Sequence, residues 1–281
     1  MNIHKYLMAL VMVLCLVTSA FSQSKKNYEE DESEYGSMAT PGYISAKVSF
    51  FFGGIQSKTN IKSLNIDAKA TDYYLPEVDI EVGIVDRLSL EIATGYEKVV
   101  ASANLNATRI GKQRKLDATV DGLSPIFLNA NIGILEENKL CPSLYMQNFF
   151  ALPKTGYSKF QNEQLAYYPV LSFENTLSDV TYLDYSLSAG WDGNTPYPFY
   201  GLSINPNFDI NDNVGVYTDL IGFFGKDMSP LYFADVGTTI TLSEMFSIDL
   251  NLGTELGKSS GIKNAYGGLQ FTFDFNAFAK K

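Results

Sequence analysis

Residues 246–256, FSIDLNLGTEL, and residues 265–275, AYGGLQFTFDF, decide the fold. In the first, Ile248, Leu250, Leu252, Thr254 and Leu256 alternate with Ser247, Asp249, Asn251, Gly253 and Glu255. In the second, Leu269, Phe271, Phe273 and Phe275 alternate with Gln270, Thr272 and Asp274. A period of two puts successive side chains on opposite faces of a β-strand. Each segment is therefore a strand with one apolar and one polar face.

The same pattern recurs upstream. Leu183, Tyr185, Leu187, Ala189 and Trp191 oppose Tyr182, Asp184, Ser186, Ser188 and Gly190, and Ile44, Ala46, Val48, Phe50 and Phe52 oppose Ser45, Lys47 and Ser49. The alternation predicts strands at 44–52, 74–84, 88–99, 122–135, 141–152, 166–176, 180–191, 198–208, 213–223, 231–242, 246–256 and 265–275. Most are about twice the usual five or six residues of a soluble strand. Their length matches the roughly nine to eleven residues with which a tilted strand crosses a bilayer.

The connections have a rhythm. Val85-Asp86-Arg87, Glu136 to Lys139, Leu177-Ser178-Asp179, Asp209 to Asp212 and Ser243-Glu244-Met245 are short and polar. They alternate with 53–73, 100–121, 153–165, 192–197, 224–230 and 257–264, of which the first three are long. Short turns on one side and longer loops on the other mark an outer-membrane barrel. An even strand number puts both termini on the periplasmic side. Tyr73, Tyr74, Tyr96, Tyr167, Tyr168, Tyr197, Tyr200 and Tyr232 fall near the outer strand ends, where an aromatic girdle belongs. In hydrocarbon an unpaired backbone group costs several kcal/mol, so a spanning sheet must close on itself. The expected fold is all-β: a transmembrane antiparallel up-and-down β-barrel of about 12 strands. A secreted β-sandwich or solenoid also alternates, but needs neither long strands nor outward phenylalanines.

Composition narrows the function. Of 281 residues, 46% are hydrophobic, 14% aromatic and 19% charged, with a net charge of −10. The acidic balance argues against nucleic acid as a partner, because phosphate contacts need clustered Lys and Arg. Arg occurs at Arg87, Arg109 and Arg114. Residues 1–22 read as a signal peptide, with Lys5, an apolar run from Leu7 to Val17, and Ala20 and Ser22 before a cut at Gln23. Leu14 precedes Cys15, which rejects a lipoprotein signal. The single histidine, His4, and Cys15 lie in that segment. Removing it takes away Ser-His-Asp and Cys-His chemistry and every His-ligated metal. Cys141 is left alone and reads as a small apolar residue. No catalytic residue, cofactor or metal site is expected. Residues 23–40, with Glu29, Glu30, Asp31, Glu32 and Glu34, read as an acidic solvated leader. Residues 41–281 form the barrel.

Three stretches resemble a known family. Leu75 to Tyr96, LPEVDIEVGIVDRLSLEIATGY, is similar to the strand, G-x-x-D-R-L turn and returning strand of the outer-membrane family named for the MetA pathway of phenol degradation. Gly122 to Gly156 resembles that family's central hairpin, with Leu152 to Gly156 as an LPTG-like close into which Lys154 is inserted. Ile204 to Gly225 is similar to a later hairpin, with Asp219 where the family tends to carry Glu. The resemblance spans most of 75–225. It implies an outer-membrane barrel related to transporters of small compounds, aromatic ones among them.

If the apolar faces meet lipid, the polar faces line a lumen. They carry Glu77, Asp79, Glu81, Glu91, Glu174, Asp184, Asp219, Asp235, Asp249, Glu255 and Asp274, with Lys47 as the opposing base. A wall of carboxylates favours cations over anions. Tyr145, Phe149, Tyr217 and Phe233 also point inward and either narrow the bore, contact apolar cargo or simply fill the barrel. Twelve tilted strands close to a backbone diameter of roughly 25 Å, leaving a bore on the order of 10 Å or none. The basic loop Arg109, Lys112, Arg114 and Lys115 either plugs the acidic wall or faces lipopolysaccharide phosphates. The expected function is passive passage of small solutes across the outer membrane of a Gram-negative bacterium. The partners are lipid, the solutes and the barrel-insertion machinery. The alternative is a filled barrel with a structural or surface-binding role.

Overall fold

The structure is a computed structural model, which describes residues 42–61, 64–107, 112–138, 141–194, 197–226, 230–257 and 262–276. The expected signal peptide and acidic leader lie outside these residues. The described residues form thirteen strands: β1 (Tyr43–Ile61), β2 (Leu64–Val85), β3 (Leu88–Ala107), β4 (Lys112–Leu123), β5 (Phe127–Leu135), β6 (Ser143–Ala151), β7 (Ala166–Ser178), β8 (Thr181–Gly190), β9 (Phe199–Asn211), β10 (Val214–Gly225), β11 (Leu231–Ser243), β12 (Phe246–Leu256) and β13 (Ile262–Asn276).

Apart from β4 and β5, which do not pair with each other, each strand pairs antiparallel with its sequence neighbours, and β1 pairs with β13 along 43–57. That pairing closes a twelve-strand barrel in which β5 follows β3 directly. The thirteenth strand, β4, pairs with the far half of β3. No free edge remains around the barrel wall, as a sheet in hydrocarbon requires. The outward face is apolar and exposed: Leu187 is 58% and Leu252 63% accessible. The inward face is polar and buried, with Ser89, Asn131 and Thr272 among its most enclosed side chains. This is the reverse of a soluble domain.

Three segments differ from the sequence reading. The described residues of 53–73 and 100–121 are not loops. They continue β1, β2, β3 and β4 as a sheet that rises beyond the other strands on the long-loop side. β1, β2 and β3 have 19, 22 and 20 residues, about twice what a bilayer crossing needs. The segment 122–135 is broken at Ser124-Pro125-Ile126, because Pro125 has no N–H to give a ladder. Its other groups are satisfied locally. Gly95 N–H donates to Ser124 Oγ at 2.8 Å, Ile126 N–H to Thr155 Oγ1 at 2.9 Å, and Tyr157 N–H to the Leu123 carbonyl at 2.8 Å. Gly156 makes this possible. It has φ +76°, and a side chain there would strike the Leu123 and Ser124 carbonyls. The Asp86-Arg87 turn holds Arg87 at φ 74° and places its guanidinium 2.6 Å from Glu136.

The tyrosine girdle is also corrected. Tyr96, Tyr197, Tyr200 and Tyr232 are exposed near the outer strand ends. Tyr74 and Tyr168 turn inward. A bulge between Tyr74 and Glu77 shifts the face of β2, and Tyr74 is buried beside Phe51 at 6.2 Å. Tyr168 donates its hydroxyl to Ser188 Oγ at 2.7 Å.

Candidate functional site

The interior carries two carboxylate groups, each on its own set of strands. The first is built by β1, β2, β3 and β5. Cross-strand register aligns Lys47 with Asp79, and Ser45 with Glu81, Glu91 and Asn129. Lys47 Nζ lies 3.3 Å from Glu81 Oε2 and 3.9 Å from Glu91 Oε2. Ser89 Oγ donates to Glu81 Oε1 at 2.5 Å, and Asn131 Nδ2 to the same oxygen at 2.9 Å. Asn129 Nδ2 donates to Asn131 Oδ1 at 2.9 Å. Asp79 and Glu81 are each 2% exposed. Glu77 lies one step toward the long-loop end on the same face, opposite Gly95. Buried charge survives when paired and fully hydrogen-bonded, which Lys47, Ser89 and Asn131 supply for Glu81.

The second group spans β7 to β13. Asp219 and Asp235 face each other across β10 and β11. Asn205 Nδ2 donates to Asp219 Oδ1, and Tyr266 OH to Asp235 Oδ2 at 3.1 Å. Asp249 accepts from Tyr217 OH and from Thr239 Oγ1, both at 2.8 Å. Asp184 accepts from Asn207 Nδ2 at 2.8 Å. Glu174 is buried opposite Ser143 and Asp184. Glu255 is half-buried opposite Phe233, and Asp274 is half-buried opposite Ser45 at the short-turn end. Among the described residues, no group of three or more His, Cys, Asp or Glu side chains is arranged to hold a metal.

Aromatic rings fill part of the bore. Phe223, Phe233, Ile221 and Tyr266 form a buried cluster with Phe51 packed against it, Phe51 and Tyr266 stacking at 5.9 Å. Two rings are seated on glycines. Tyr217 lies directly opposite Gly237, and Tyr266 opposite Gly253. A methyl at either glycine would fall inside the facing ring. Between β6 and β10 a cavity of about 110 Å³ remains, lined by Tyr145, Gln147, Phe149, Tyr168, Ser172, Asp184, Ser186, Ser188, Ser203, Asn205, Asp219 and Phe223 among others.

The basic residues lie elsewhere. Lys112, Arg114 and Lys115 are on strand β4 rather than a loop, and Arg109 lies outside the described residues. Arg114 and Lys115 are exposed, and Lys115 pairs with Asp117 of its own strand at 3.1 Å. Sequence reasoning missed Glu97 as a buried acid, although it continues the parity of Glu91, Ala93 and Gly95. It also missed Tyr266, whose seat on Gly253 is visible only once register is known.

The fold is that of outer-membrane barrels. An outer membrane channel from Pseudomonas putida F1 superposes with a TM-score of 0.62 at 14% identity, covering 88% of this chain and 100% of that one. The transport unit of the autotransporter AIDA-I from Escherichia coli gives 0.60 at 10% identity, covering 92% and 97%. The translocator domain of the autotransporter NalP from Neisseria meningitidis gives 0.51 at 10% identity, covering 95% and 98%. No protein-family model and no curated protein sequence matches the chain. Channels and autotransporter barrels share this architecture at such low identity, so the interior must carry the functional argument.

Proposed function

We propose that this protein is an outer-membrane channel that passes small solutes passively and prefers cations to anions. The observation that carries the reading is the charge of the interior. Strands β5 to β12 contain no Lys or Arg, yet carry Glu174, Asp184, Asp209, Asp219, Asp235, Asp249 and Glu255. Such a wall lowers the energy of a cation in the bore and raises that of an anion. The short-turn end faces the periplasm in this reading, and the rising β1–β4 sheet faces outward. The enclosed Lys47 network and the aromatic cluster favour a second reading, a filled barrel with a structural or surface-binding role.

Single-channel recording of the refolded protein in a planar bilayer under a KCl gradient tests both. Discrete steps whose reversal potential favours K⁺ support the channel, and Asp249→Asn then weakens that preference. An anion preference rejects the charge argument. No conductance from correctly inserted protein selects the filled barrel.

A further inference from the structure

The cavity between β6 and β10 has two kinds of wall. One is aromatic, supplied by Phe149, Tyr168 and Phe223. The other is anionic, supplied by Asp184 and Asp219. The strands that form it contribute no protein cation. Lys47 stands on β1 and is engaged with Glu81 and Glu91, on the other side of the barrel.

This combination selects among occupants. An anion meets two carboxylates and the negative faces of the rings. A neutral aromatic molecule gains the rings but leaves the carboxylates desolvated without a counter-charge. An inorganic cation satisfies the carboxylates and leaves the rings without an apolar partner. An organic cation satisfies both walls, since its charge meets the carboxylates and its carbon surface meets the rings, where cation–π attraction adds about 0.5–2 kcal/mol. Asn205 and Asn207 donate hydrogen bonds to Asp219 and Asp184 respectively. Size sets the scale. The cavity of about 110 Å³ is smaller than one of about 150 Å³ that admits benzene. We infer that it is a binding site for a small organic ammonium ion, held between Tyr168 and its neighbouring rings on one side and Asp184 and Asp219 on the other. Ser188 and the adjacent serines offer hydroxyls to a polar group on the same ligand.

The inference rests on reading the interior as a path that solutes reach, and its test is independent of conduction. Ethylammonium, which is smaller than benzene, is titrated calorimetrically into the refolded full chain in detergent. The comparison ligand is ethanol, its neutral counterpart of nearly the same size. Ethylammonium is expected to bind at least tenfold more tightly than ethanol. Asp219→Asn is expected to weaken ethylammonium at least tenfold, and Tyr168→Leu to weaken it severalfold. If Asp219→Asn fails to refold, as judged by loss of the heat-dependent shift in mobility, Asp184→Asn carries the same expectation. Equal binding of ethanol, no ethylammonium binding by the wild type, or undiminished binding by the carboxylate variants overturns the inference. Ethylammonium binding by a barrel that does not conduct supports this site and removes the channel reading. Conduction without ethylammonium binding does the reverse.

Discussion

Lys47 shows how one side chain organises a buried acidic wall. Its ammonium lies within 4 Å of two carboxylates, Glu81 and Glu91, and all three side chains are buried. Replacing it by Met keeps the stem and removes the charge. The remaining carboxylates then sit enclosed without a counter-ion, and breaking one partner from a buried pair costs about 3–5 kcal/mol. Lys47→Met is expected to lower the urea midpoint of the barrel folded in vesicles by an amount of that order. Adding Glu81→Gln should recover part of the loss, because the two sites share one network. An unchanged midpoint would mean that water already solvates the wall. The alternation made these faces legible in the sequence, since Lys47, Glu81 and Glu91 keep the parity of their strands. What alternation does not encode is who meets whom. The Lys47–Glu81 contact joins residues 34 apart and follows from register.

At the scale of the strand, the lipid and interior faces obey different rules. Leu252 is 63% exposed on β12, and a charge there must enter hydrocarbon. Leu252→Arg is expected to destabilise the folded barrel by up to about 2–4 kcal/mol, the range for Arg near the bilayer midplane. On the interior face the constraint is shape. Tyr217 covers Gly237 and donates to Asp249, so a larger residue at 237 must lift the ring and break that bond. The sequence reading found β12 and β13 because every second residue must be apolar against lipid. It missed the rising parts of β1 to β4 for the opposite reason. In Ala68-Lys69-Ala70-Thr71, or in Lys115-Leu116-Asp117-Ala118, no hydrocarbon demands a large apolar face, so the alternation persists but is carried mostly by alanine, a weak signal although the ladder continues. Tyr74 and Tyr168 were misplaced because an aromatic near a strand end serves equally as a girdle or as filling. Face decides which, and a bulge sets the face of Tyr74.

For the whole molecule, the question is whether the rising sheet is part of the barrel's stability or an appendage to it. Closure depends on β1 with β13 along 43–57 and on β3 with β5 along 88–93, both within the twelve-strand ring. β4 pairs only with β3 among the described strands, and its base is fixed separately by Gly95, Ser124 and Tyr157. Barrel stability in a bilayer comes from satisfying every backbone group at membrane depth and from the outward apolar band, and residues 99–121 contribute to neither. Replacing that segment with a short turn is therefore expected to leave a closed barrel. It should refold into vesicles, keep its heat-dependent mobility shift, and hold its urea midpoint close to the wild-type value. Because Asp219 and Asp235 lie on strands far around the ring, the proposed cation preference should persist as well. Loss of refolding in the shortened chain would instead show that the β3–β4 hairpin guides closure, and would make the rising sheet a folding element of the ring.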